Sequence, residues 1–120
     1  MKKIKKELKK PSGLKYDGGK APLNLISNYA LEELAKVLGF GATKYHPWNW
    51  AEGIAYSRVI SAAKRHIAAW ENGINTDHES NTNHLANAMC NLMFLLDYQA
   101  REMHHLDDRR PKHTLKKGKK

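Results

Sequence analysis

The chain is 120 residues long with a formal net charge of +9, 28% charged residues and a single cysteine. That length gives room for one domain, which buries only about two thirds of its unfolded surface, so completion by a second copy in a homo-oligomer is expected. There is no apolar run of about eighteen residues to span a membrane and no apolar stretch behind the lysine-rich start to act as a secretory signal, so the expected location is cytoplasmic. Cys90 stands alone, which excludes an internal disulfide and a cysteine zinc cluster and leaves it as a small core residue.

The charge is concentrated at the ends. Residues 1–10 hold six lysines and one glutamate, residues 109–120 hold seven Lys or Arg and no acid, and residues 11–108 carry eight basic against eleven acidic residues, a net −3. The expected organisation is a basic N-terminal arm (1–10), one all-α domain (11–108) and a basic C-terminal tail (109–120). Such tails can bind nucleic-acid phosphates without sequence preference. Solubility is the simpler account, since no aromatic residue is interleaved with the lysines to stack on bases.

From Pro11 to Pro22 the Gly, Pro and polar content predicts a loop. Ser27 or Asn28 can cap a first helix whose apolar face is Ala30, Leu31, Leu34, Ala35, Val37 and Leu38, with Gly39 and Gly41 expected to stop it. Phe40 to Gly53 mixes Gly, Pro and aromatic residues and reads as either a short helix with a loop or an irregular lid. A second helix is predicted from about Tyr56 to Asn72, ended by Gly73. A polar loop, Asn75 to Asn83, leads to a third helix marked by Leu85, Ala88, Met89, Leu92, Met93, Leu95 and Leu96 and continuing to about His105. No alternating β-branched run suggests a strand, so the predicted class is all-α, a small helical bundle of two long helices and one shorter one with functional loops between them.

The unusual polar residues fall at helix ends or along one helix face. His84, Asn87 and Asn91, spaced by three and four, share one side of the third helix as a ligand-facing stripe or a solvent face. Arg65 can clamp phosphate oxygens or be an exposed helix charge; His66 can exchange a proton near neutral pH or be a hydrogen-bonded core histidine. The Asp77-His78-Glu79 loop suits a hard cation such as Mg²⁺, or caps the third helix in competition with Ser80, Asn81 and Asn83. Glu33 is the acid of the first helix expected to face the bundle. Gly18-Gly19-Lys20 allows backbone amides and a lysine near an anion but lacks the full phosphate-loop pattern. Tyr45, Trp48 and Trp50 beside Lys44 and Asn49 offer flat faces for a base and an amide for its edge, or else close the core.

Gly18-Gly19-Lys20-Ala21-Pro22-Leu23, Ala30-Leu31-Glu32-Glu33-Leu34-Ala35, Phe40-Gly41-Ala42-Thr43-Lys44-Tyr45, Asn49-Trp50, Arg65-His66 and the block from Asp77 to Asn91 together resemble the phage-associated dATP/dGTP diphosphohydrolase N-terminal domain family, over about residues 16–98. That family looks like a divergent relative of the MazG-like all-α nucleotide pyrophosphohydrolases, oligomeric bundles that bind Mg²⁺ through Glu-x-x-Glu and Glu-x-x-Asp motifs. This chain departs from that pattern: Glu32 and Glu33 have no second glutamate one turn later, and His84, Asn87 and Asn91 stand where acids are expected. In the resembled family a histidine is common at the position of Asn87.

The resemblance implies hydrolysis of a purine deoxynucleoside triphosphate, dGTP or dATP, to monophosphate and pyrophosphate. Glu33 with Asp77 or Glu79 would hold Mg²⁺ or Mn²⁺, and Lys20, Lys44 and Arg65 would neutralise the phosphates. His66 or His84 would relay protons, while Tyr45, Asn49 and Trp50 would hold the base, with Asn87 and Asn91 facing the ligand. The alternative is a phage protein that binds or sequesters a nucleotide or a cyclic-nucleotide signal without turnover, which needs no carboxylate cluster. A DNA-associated accessory role would rest on the tails alone.

Overall fold

The computed structural model describes residues 12–109; the arm 1–10 and nearly all of the tail 109–120 lie outside the described residues. Three helices form the body: α1 (Asn28–Lys44), α2 (Tyr56–Glu71) and α3 (His84–Ala100). The all-α class is as expected, with single 3₁₀ turns at Leu23–Leu25, Asn49–Glu52 and His104–Leu106.

Ser27 starts α1 by accepting the amide of Ala30 on its hydroxyl, 3.1 Å away. The predicted stop at Gly39 and Gly41 is wrong: α1 runs through both glycines to Lys44, so the three helices are of nearly equal length. Glycine weakens a helix by about 1 kcal/mol relative to alanine without breaking it, and the flanking apolar residues of α1 carry the helix across. The second helix ends as predicted, with Gly73 at φ 89° just beyond it. The third is shorter than predicted. It stops at Ala100, and the chain turns through Glu102 at φ 55° into the last 3₁₀ turn.

The polar loop between α2 and α3 contains a short antiparallel ladder, β1 (Thr76–Asp77) with β2 (Thr82–Asn83), which the absence of an alternating pattern did not suggest. Two paired residues per strand are too few to leave a periodicity. Asn83 wins the competition for the α3 cap, its Oδ1 accepting the Leu85 amide at 2.7 Å.

The core sits where α2 and α3 meet the second 3₁₀ turn: Tyr56, Val59 and Tyr98 are buried, with Trp50, Ile54, Phe94, Leu95, Met103 and Leu106 packed around them. The Tyr98 hydroxyl donates to the Trp50 carbonyl at 2.6 Å and Arg101 donates to the Ala51 carbonyl at 3.0 Å, fixing the turn to α3. Beyond the last turn, Asp108 accepts the Ser57 amide and hydroxyl at 2.8 and 2.7 Å, capping the start of α2 from fifty-one residues away.

Candidate functional site

The polar residues of the α2–α3 hairpin form one directed chain. Asp77 Oδ2 accepts the Ser80 hydroxyl at 2.7 Å, Ser80 Oγ lies 2.6 Å from Thr82 Oγ1, and Thr82 Oγ1 accepts Asn87 Nδ2 at 2.7 Å. Ser80 has one hydroxyl hydrogen and gives it to Asp77, so Thr82 must donate to Ser80 while accepting from Asn87. Partial burial works against the charge on Asp77, but the Ser80 hydroxyl and amide, with the two nearby imidazoles, outweigh it and hold the carboxyl below its ordinary value.

Beside this chain, His66 from α2 and His84 at the start of α3 place their Nδ1 atoms 2.8 Å apart. Both rings cannot carry a hydrogen at that position, so one donates its Nδ1–H to the bare Nδ1 of the other. The donating ring, if neutral, keeps a free lone pair on Nε2. Burial is the main cause that pushes the His66 pKa down, with His84 and Arg65 acting in the same direction and Asp77 opposing them. His66 is therefore neutral at pH 7 and able to accept a proton.

A second feature is a cleft of about 530 Å³ between the C-terminal half of α1, the Tyr45–Trp50 segment and the middle of α3. Its walls include Phe40, Tyr45, Trp48, Trp50 and Phe94, with Asn49 and Asn91 among its polar lining residues. Trp50 stacks on Phe94 with centroids 5.0 Å apart. Gly39 and Gly41 also line the cleft, and a side chain at either would have open space within 4 Å of its Cβ. Trp48 holds φ 68°, a left-handed conformation unfavourable for a bulky residue, at the rim of the same cleft. Strain of this kind persists where the surroundings impose it and clusters at ligand sites.

Lys44 joins the two features. It ends α1, lies against the rings of Phe40 and Tyr45, and binds Glu79 at the tip of the hairpin at 2.6 Å. The hydrogen bond that Lys44 donates to Glu79 is the main cause that raises the Lys44 pKa.

The predicted residues divide between these places. His66, His84 and Asp77 come together, and Tyr45, Asn49, Trp50 and Asn91 line the cleft. Asn87 is buried at 7% exposure and donates to Thr82 Oγ1 and the Asn83 carbonyl, so it organises the hairpin from within. Arg65 lies along its own helix, donating to Ser61 Oγ at 3.0 Å. Lys20 stands on an exposed segment, and among the described residues no side-chain hydrogen bond or ion pair joins it to the cluster.

The expected metal set, Glu33, Asp77 and Glu79, does not assemble within one chain. Glu33 is largely covered and pairs with Lys36 at 2.7 Å; Glu79 pairs with Lys44; Asp77 is held by Ser80. Among the described residues no three His, Cys, Asp or Glu side chains are placed to hold one metal ion, the His66–His84–Asp77 cluster included. The donors of one chain thus do not fit a resident Mg²⁺ or Mn²⁺, which needs several oxygen ligands in near-octahedral order.

Ser80 as a link, Thr82, Gly39, Met93 and Phe94 stand at the hairpin cluster and the cleft without having been expected there. Thr82 had a signal, a hydroxyl residue five positions before an asparagine that enters a helix; Phe94 had none apart from its position one turn after Asn91. Cys90 is a buried residue in the lining of the cleft, and burial pushes its thiol up to about 12, so it is an unreactive core residue.

Residues 10–109 match the family described as dATP/dGTP diphosphohydrolase, N-terminal. The chain is also similar to a protein of Salmonella phage PMBT28 named dATP/dGTP diphosphohydrolase, 42% identical over 84 residues that make up 70% of this chain and 29% of that protein. The chain thus spans less than a third of that relative's length. No solved structure matches it.

Proposed function

We propose a function from the premise that the chain belongs to the dATP/dGTP diphosphohydrolase N-terminal family: it hydrolyses dATP or dGTP to the monophosphate and pyrophosphate. The observation that carries this reading is the junction at Lys44, which links a flat aromatic cleft to a cluster of two hydrogen-bonded imidazoles and a carboxylate. A nucleotide has the matching division, an apolar base at one end and a charged phosphate chain at the other.

In this reading the base enters the cleft against Tyr45 and Trp50. The triphosphate runs past Lys44, which exchanges Glu79 for phosphate oxygens, with Arg65 and Lys20 as further cations. A water attacks the α-phosphorus, the bond from that phosphorus to the bridging oxygen of the leaving pyrophosphate breaks, and the proton lost by the water goes to the free Nε2 of the His66–His84 pair. Asp77 stabilises the resulting imidazolium, as a carboxylate beside a general base does. A divalent ion belongs to the proposal as the counter-ion that the triphosphate carries with it. A MazG-like bundle completed by a second copy, a cytoplasmic site of action and phosphate contact by the basic ends extend the same reading.

The test is to incubate the protein with each dNTP and NTP, with Mg²⁺, Mn²⁺ or a chelator, and to separate the products. Conversion of dATP or dGTP to monophosphate and pyrophosphate is expected. Binding of these nucleotides without conversion would favour the sequestering alternative, for which the unassembled carboxylates are the specific support.

A further inference from the structure

The cleft has a polarity that its shape alone does not give. Asn91 donates its Nδ2 to the Asn87 carbonyl one turn back at 2.9 Å. A carbonyl can only accept, so the orientation of the Asn91 amide is settled. Its Oδ1 has no hydrogen-bond partner among the described residues, yet no buried side-chain polar atom there lacks one, so this oxygen is open to the space that Asn91 lines. The lining that α1 contributes to the same cleft includes Gly39 and Gly41, where side chains are missing although the backbone has room for them. Glycine twice in one turn of a helix weakens it, and the open wall it leaves admits a flat ring edge.

We propose that Asn91 is a specificity residue: its Oδ1 accepts a hydrogen bond from an exocyclic amino group of the bound base. Adenine and guanine both carry such a group and hypoxanthine carries none. The amino group is on C6 in adenine and on C2 in guanine, so the two bases turn different edges toward Asn91; hypoxanthine has a carbonyl oxygen at C6 and a hydrogen at C2, and neither edge offers the exocyclic N–H. Asn49, whose side chain also lines the cleft without a hydrogen-bond partner among the described residues, meets the remaining polar edge of the base. This inference rests on the cleft being the base site.

The test compares dATP, dGTP and dITP on the full chain, by tryptophan fluorescence titration and by hydrolysis. Sites that hydrogen-bond a substrate N–H disfavour the analogue without it strongly, so dITP should be disfavoured by at least about tenfold. In Asn91→Leu that ratio should fall to near one, whereas Asn91→Asp, which keeps an acceptor, should retain most of it. A merely structural Asn91 would weaken all three nucleotides together and leave the ratio unchanged, overturning the inference. Equal use of dITP by the unaltered chain would overturn it too, with the base-site reading intact. Failure of all three to perturb the tryptophans or to be hydrolysed would remove that reading and the inference with it.

Discussion

His66 and His84 share a hydrogen across 2.8 Å, and this sets what protonation does to the molecule. The folded His66 binds its proton less readily than the unfolded chain, chiefly because it is partly buried. Below about pH 6.5 the unfolded state therefore takes up protons that the native state resists, and stability falls as pH drops from there toward the folded value. Thermal melts between pH 8 and pH 5 should show this decline, and His66→Gln should flatten it. If the imidazole is the base, the same variant should lower kcat by about 10²–10⁴ while nucleotide binding changes little. His66 and His84 stood out in the sequence as proton-relay candidates, but Asp77 was assigned to a metal set, and its place beside the two imidazoles comes from the fold of the hairpin. Asn87 was misleading for a physical reason: helical spacing gives the direction of a side chain but not whether the hairpin folds back over it, and Thr82 does so here.

Among the elements, α1 differs most from its sequence signals. Two glycines predict an end, but the helix continues, and both glycines line the cleft. Local propensity cannot reveal this, since glycine as a terminator and glycine as a bare wall look alike in sequence. Gly41→Ala distinguishes them, because the added methyl has open space around it. It should stabilise the protein by up to about 1 kcal/mol in denaturant unfolding and at the same time weaken nucleotide binding. A stabilised variant with unaltered binding would mean that the wall is not part of the site. The aromatic segment reads in sequence as either a short helix with a loop or an irregular lid, and the tie that settles it, Tyr98 to the Trp50 carbonyl, spans forty-eight positions and leaves no local signal. Tyr98→Phe should cost about 1 kcal/mol and loosen Trp50, visible as a change in its fluorescence before any ligand is added.

At the scale of the whole molecule, α3 is too apolar for the neighbours it has. Leu85, Leu92 and Leu96 are exposed, Leu96 by 70%, and Asp97 is the one acid on the helix. With the partly covered Met89 they sit at spacings of four, three and four, the seam of a helix meant to pack on another helix. A groove of about 450 Å³ beside them, lined by Ile60, Leu92, Leu95 and Leu96, extends the same face onto α2. A second copy carries the same seam and can meet it about a two-fold axis. Light scattering at micromolar concentration should give at least twice the chain mass, reduced to one chain by Leu92→Glu with Leu96→Glu; a monomer throughout would show the face to be covered otherwise or left open.

The central claim is that one nucleotide spans the cleft and the histidine pair. The most direct measurement is a two-dimensional NMR titration with a dATP analogue in which an imido group replaces the oxygen between the α- and β-phosphates. The indole signal of Trp50, the side-chain amide of Asn91 and the ring signals of His66 and His84 should shift together along one saturable curve. Shifts confined to the lysine-rich ends, with the cleft and both imidazoles unmoved, would contradict it.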